Sequence, residues 1–309
     1  MTAFARLDAT SVAVETVDVP VPQPGVTEAL VRVHAFGVGI HDRYFIPPDA
    51  RFPYVIGTEG VGSRRRDGRA RPDAAIGDRV LLTSALTPKG GTWAAFAAVD
   101  AAALIPMSDG LDFATAAGIP IAGTSAVESI HTLDLAPGAT LFVAGASGAI
   151  GTLVVQMAAL RGIRVAGSAS PRNHGHLTSL GAETAVDYGA RDWPEQIRRW
   201  APGGVDAALA IQPGTGVPSQ AVVRDGGHLV TVSGDAVEPE RDVRVEQFVH
   251  RVDARRNMED LVASIADGRV RLVIERLYSF DEALAALEKT ETRHARGKLV
   301  VTGPGTPAG

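Results

Sequence analysis

The rhythm of apolar and polar positions changes near residue 112. Before it, short β-type runs alternate with turn residues. Val12 to Val14, Ala29 to His34, Val80 to Leu82 and Ala94 to Val99 read as strands. Pro20, Pro22, Pro24 and Gly25 form a turn between the first two, and Gly77-Asp78 and Gly90-Gly91 lead into the others. Short strands at this spacing predict a small barrel. From Asp112 helical spacing takes over, in Phe113, Ala116 and Ala117 and then from Ser125 to Leu133. Strands predicted over 141–144, 165–167, 185–188, 205–211 and 229–233 then alternate with helices. That order predicts a doubly wound, mostly parallel sheet. The tail reads as a helix over 256–266, a strand over 270–277, a helix over 281–288 and a last strand over 298–302.

One stretch organises the second half. The run 141–144 feeds into Gly145-Ala146-Ser147-Gly148-Ala149-Ile150-Gly151, and a helix follows with Leu153, Val154, Met157 and Leu160 on one side. Strand, glycine turn and helix in this order are what a dinucleotide site needs. Gly148 lets the backbone approach a pyrophosphate, and Gly151 lets helix and strand pack closely. The free N–H groups of the helix start attract the phosphates. Ala146, Ser147, Gly148, Ala149, Ile150 and Gly151 are therefore candidate cofactor-binding residues. Ala146 holds the first glycine slot of G-x-G-x-x-G, and an ordinary βα turn is the alternative reading.

The second strand should deliver the residue that reads the adenosine ribose. It ends in Ser168, Ser170 and Arg172, with no acidic residue between Gly151 and Glu183. A carboxylate there would repel a 2′-phosphate, whereas hydroxyls and a guanidinium would bind one, so NADPH is the expected cofactor. A solvent-facing Arg172 at a helix start is the competing reading.

Bulk properties add exclusions. The 309 residues are 45% hydrophobic and 21% charged, as in an ordinary globular protein of two domains. A net charge of −5 gives no argument for nucleic acid or an anionic membrane as partner. Arg64-Arg65-Arg66, with Arg69 and Arg71, is the one basic cluster and reads as a solvated turn. The absence of cysteine removes disulfides, thiolate zinc sites and thiol nucleophiles, and fits a reducing compartment. With no signal-peptide pattern and no spanning stretch, a cytoplasmic location is expected.

The whole layout resembles the medium-chain dehydrogenase/reductase superfamily, in its zinc-free quinone oxidoreductase (zeta-crystallin-like) branch. The carriers are Gly37-Val38-Gly39-Ile40-His41-Asp42, Gly57-Thr58-Glu59-Gly60, Gly77-Asp78-Arg79-Val80, the 146–151 turn, Val186-Asp187-Tyr188 and His294-Ala295-Arg296-Gly297-Lys298. The resemblance implies an α/β architecture. A GroES-like β-barrel catalytic domain over 1–115, completed by 254–309, would accompany a Rossmann doubly wound parallel-sheet domain over 116–253. Zinc-dependent members carry ligands where this chain has Gly39, Thr58 and Ile121, so no metal is expected.

The same resemblance implies site residues. His41 takes a position at which zinc-dependent relatives relay the substrate proton, and a histidine there can act as a general acid. Tyr44 matches a tyrosine that faces the substrate, and Asp42 belongs to the same polar loop. A satisfied loop histidine and a packed aromatic are the plainer readings. Ser125 matches a threonine near the nicotinamide, and Tyr188 a tyrosine beside the 2′-phosphate. Ile211 and Ser233 end strands whose backbone would hold the carboxamide, and Arg296 and Lys298 match a basic pair near the cofactor. The implied activity is hydride transfer from NADPH to a small-molecule quinone or α,β-unsaturated carbonyl. A carbonyl or enoyl reductase of a biosynthetic pathway and a non-catalytic NADPH-binding protein are the alternatives. Relatives also imply a homodimer through a sheet edge, here 242–249.

Overall fold

Glu28–Val38 carries the first half of the fold. Ala29, Val31, Val33 and Ala35 are buried while the residues between them are half-exposed, and Phe36 to Val38 are buried throughout. The strand pairs antiparallel with Glu59–Asp67, Phe96–Asp100 and Lys298–Thr302. The computed structural model describes residues 1–67, 75–84, 87–249 and 254–305. These form two units, Met1–Ile121 with Met258–Gly309, and Ala122–Asn257. The sequence divisions at 115/116 and 253/254 compare with 121/122 and 257/258.

In the first unit, the sheet runs on to Ile274–Tyr278 at one side and to Arg79–Thr83 and Ile105–Pro106 at the other. A smaller sheet orders Glu15–Asp18, Thr2–Arg6 and Tyr54–Val55. Trp93 is fully buried at the centre, with ring centroids 5.9 Å from Phe4 and 5.0 Å from Phe36. The helix Ala283–Glu291 closes this core with Ala283, Ala286 and Leu287.

Three sequence readings change here. Val12 to Val14 lie in no strand, because polar side chains organise that loop: Asp8 Oδ1 accepts from the N–H groups of Thr10 and Ser11, and Arg6 Nε donates to Ser11 O. The basic run is strand rather than turn. Its side chains alternate between faces, so Arg64 is buried and Arg65 exposed. Arg69 and Arg71 lie outside the described residues. The strand expected over 270–277 is Ile274–Tyr278; Val270, Leu272 and Val273 are buried by packing without joining a ladder.

The second unit is a six-stranded parallel sheet. Its order is Thr184–Val186, Arg164–Ser168, Thr140–Ala144, Val205–Ala210, Val223–Thr231, Arg244–Gln247. The chain starts in the middle, builds one side, then crosses to the other, so the switch point lies between Thr140–Ala144 and Val205–Ala210. The helix Ala149–Leu160 packs through Gly151, Val154, Val155 and Ala158, the i, i+3, i+4, i+7 set. Leu160, which the sequence groups on one side with Leu153, Val154 and Met157, is 61% exposed because it falls outside that stripe. Arg244–Gln247 is the sheet edge. No helix among the described residues is long and apolar enough to cross a membrane.

Candidate functional site

The switch point is where the glycine turn sits. Ala144 ends its strand opposite Ala210, and Gly145 turns the chain with φ 84°, a backbone that excludes most side chains. Ser168 braces the turn from the neighbouring strand: its carbonyl accepts from Ala146 N–H at 3.1 Å and its hydroxyl from Gly145 N–H at 3.3 Å. Gly148 is the N-cap of Ala149–Leu160 and offers no side chain to the helix start. The first-turn N–H groups of Ala149, Ile150 and Gly151 therefore remain for another acceptor.

The two glycines of the turn have different reasons. A Cβ on Gly151 would stand 2.5 Å from Gly145 O and 2.6 Å from Ala146 Cα, so protein packing alone requires glycine there. A Cβ on Gly148 would meet nothing nearer than Gly145 O at 3.5 Å, an ordinary contact. Internal packing does not account for Gly148, which leaves room for a phosphate to approach the backbone. The cradle thus fits a dinucleotide pyrophosphate. Ser147 lies half-buried in the turn. Gln212 overhangs it, its amide nitrogen 4.0 Å from the Gly148 Cβ position. Sequence reasoning missed Gln212; its place two residues beyond the strand facing the switch point was the available signal.

Other expected residues of this unit are more scattered. Ser168 is buried and committed to the turn, so it positions backbone rather than presenting a free hydroxyl. Ser170 is half-buried and accepts from Asn173 Nδ2 at 3.2 Å. Arg172 is exposed beside it in the short helix Pro171–Asn173. Glu183, the first acidic residue after the turn, pairs with Arg164 at 2.8 Å at the opposite ends of these strands. Tyr188 lies two residues past its strand and is 58% exposed. Ile211 donates its N–H to Ala144 O at 3.1 Å, directly at the switch point. Ser233 follows Val223–Thr231, next to Asp235, whose carboxylate accepts from the N–H groups of Gly214 and Gly216. Ser125 is buried in the helix Pro120–Leu133.

In the first unit, two buried carboxylates hold the loop that carries His41. Asp42 is wholly buried: Oδ2 accepts from Gly39 N–H at 2.8 Å, and Oδ1 from Thr58 N–H at 3.0 Å and Thr58 Oγ1 at 2.8 Å. Burial pushes its pKa up to about 6 against these hydrogen bonds. Glu59, also wholly buried, accepts from Lys298 Nζ and, at 2.8 Å, from Ile121 N–H. Gly37 makes room for this pair, since a Cβ there would lie 2.7 Å from both Glu59 Oε1 and Lys298 Cε.

These contacts bear on zinc. Gly39 and Ile121 offer no side-chain donor, Thr58 gives its hydroxyl to Asp42, and both Glu59 oxygens are taken, one by an ammonium. The donor set does not fit the ion. Among the described residues, no group of three or more His, Asp or Glu is arranged to hold a metal. Lys298, read from sequence as a cofactor residue, is 5% exposed and ion-paired inside its own unit. Arg296 is exposed, two residues before the strand that Lys298 begins.

His41 and Tyr44 line a pocket of about 370 Å³ with Ile40, Glu291 and Arg293. The His41 ring stacks on Phe45 at 4.7 Å. Partial burial of the imidazole, with Arg293 and Lys298 nearby, lowers its pKa and so favours the neutral ring. Tyr44 is 55% exposed and its backbone N–H is tied to His41 O at 2.8 Å. The arrangement brings an imidazole and a phenol to one pocket and leaves Asp42 beneath it as a support. Glu291 and Arg293, missed by the sequence reading, enter from the far end of the chain.

Residues 180–301 match the zinc-binding dehydrogenase family. The chain is 26% identical to the chloroplast envelope quinone oxidoreductase homolog of Arabidopsis thaliana, over 93% of each chain. It is 28% identical to the chloroplastic NADPH-dependent alkenal/one oxidoreductase of the same plant, over 92% of this chain and 74% of that one. A 29% identical match to the synaptic vesicle membrane protein VAT-1 of Tetronarce californica covers 59% of this chain and 48% of that protein. The solved quinone oxidoreductase of Coxiella burnetii has the same fold, with a TM-score of 0.87 at 24% identity over 98% of this chain and 99% of that one.

Proposed function

Because the chain belongs to the medium-chain dehydrogenase/reductase superfamily, in its quinone oxidoreductase branch, we propose that it is an NADPH-dependent reductase of quinones or α,β-unsaturated carbonyls. The observation that carries this reading is the turn at the switch point, where Gly148 leaves open a space that packing does not demand. Ala149, Ile150 and Gly151 present N–H groups to the pyrophosphate. Arg172, with no carboxylate near it in sequence, meets the 2′-phosphate and favours NADPH over NADH.

The bound nicotinamide would supply a hydride. The protein's part is to hold the acceptor and receive charge. The Tyr44 hydroxyl and the neutral His41 imidazole donate hydrogen bonds toward the acceptor's carbonyl oxygen as negative charge develops on it. Asp42 fixes the loop that presents both. No Lewis acid is needed, since a quinone or enone is already an electrophile, and the residues in the zinc positions do not form a metal site. The Arg244–Gln247 edge supports a homodimer; a monomer by light scattering at micromolar concentration would reject that part.

The test is rapid mixing of the protein with NADPH and a panel of quinones and enones. Oxidation of NADPH, slower with NADH, is the expected result. Calorimetry that detects no NADPH binding overturns the reading.

A further inference from the structure

The pocket beside His41 carries a charge that reducing a neutral carbonyl does not call for. Its lining includes one carboxylate, Glu291, which Arg43 Nε neutralises at 2.8 Å. Burial of the His41 ring favours its neutral form. That leaves Arg293, whose guanidinium pairs with no carboxylate among the described residues. The described lining therefore carries a net positive charge, and the Tyr44 and His41 donors share the pocket with it.

The backbone constrains this arginine, as it does Asp134, Arg241 and Asp242. Arg293 follows the helix Ala283–Glu291 with φ 59°, in the left-handed region where a helix end ordinarily takes glycine or asparagine. Its N–H closes the helix end on Thr290 O at 3.0 Å. Glycine would serve that turn with less strain, so the turn itself does not call for an arginine. Complementing the helix C-terminus is one use for it, but Lys289 already lies in the last turn.

We infer that Arg293 is a specificity residue, which selects acceptors bearing a carboxylate close to the reducible enone. The guanidinium takes the carboxylate in a charge-assisted, two-point hydrogen bond, while Tyr44 and His41 face the ketone oxygen. This rests on the reductase reading above. The reaction consumes one hydride from NADPH and one proton from water, and saturates the carbon–carbon double bond.

The probes are 4-oxopent-2-enoate and its methyl ester, compared by kcat/KM with NADPH in the wild type, Arg293→Gly and Arg293→Lys. The saturated keto acid and its ester are titrated against the free protein by calorimetry as a readout without turnover. The wild type is expected to prefer the acid at least tenfold, through KM. Arg293→Gly abolishes the preference and Arg293→Lys keeps part of it, with the same order in the calorimetry. Raised thermal stability in Arg293→Gly would agree with relief of the backbone. Equal use and equal binding of acid and ester by the wild type overturns the inference, as does a preference that survives Arg293→Gly. Selective binding of the keto acid without NADPH oxidation by any acceptor would refute the reductase reading and leave the Arg293 site standing.

Discussion

Lys298 and Glu59 stand 239 positions apart in the chain, and their charges meet inside the first unit. Both side chains are shut away from solvent, and the other Glu59 oxygen holds the backbone of Ile121. One ion pair thus ties the last strand, the Glu59–Asp67 strand and the entry to the helix Pro120–Leu133. Removing one partner strands a charge in the interior. Lys298→Met is expected to cost about 3–5 kcal/mol, and adding Glu59→Gln should restore much of it. Chemical unfolding of both single variants and the double variant gives the coupling. Losses that simply add would show that the charges do not depend on each other.

Asp42 makes stability depend on pH. Its folded-state pKa stands at about 6 against an ordinary value of 3.8, because burial disfavours the carboxylate. The folded chain therefore binds the extra proton between these values, and stability is lost as pH rises through that window. The shift corresponds to roughly 3 kcal/mol. Asp42→Asn cannot ionise, so whatever fixed offset it adds does not vary with pH. The gap between the wild type and this variant should change by roughly that amount from pH 3.5 to 7. A gap that stays constant would mean that Asp42 titrates normally.

Gly148 and Gly151 should separate binding from folding. Gly148→Ala is expected to leave thermal stability close to that of the wild type, because its methyl group meets only ordinary contacts, and to weaken NADPH at least tenfold, because it enters the space proposed for the phosphate. Gly151→Ala lowers the melting temperature itself, since its methyl group has backbone on the other side of the contact. Calorimetry and thermal melts on the two variants check both halves of this statement.

Arg172 is expected to decide between the two nicotinamide cofactors. Arg172→Ala should raise the Kd for NADPH roughly tenfold and leave NADH almost unchanged, with the difference shrinking at high salt. Fluorescence titration with both nucleotides measures it. Equal losses for the two would place Arg172 away from the 2′-phosphate.

The parallel half of the fold was legible before any coordinates. Strand, glycine turn and helix are set by neighbours in sequence, and Lys298–Thr302 begins and ends where the pattern of apolar residues places it. Local geometry also assigned Gly151 its packing role. What a linear pattern cannot state is which charges end up inside. Arg64 looked like part of a solvated turn and Lys298 like a cofactor residue, yet both are buried: Arg64 lies on the inner face of a strand, and Lys298 meets Glu59 from a distant segment. Arg293 joins His41 for the same reason: a residue's surroundings are built by whatever strands and helices fold against it, and those lie hundreds of positions away.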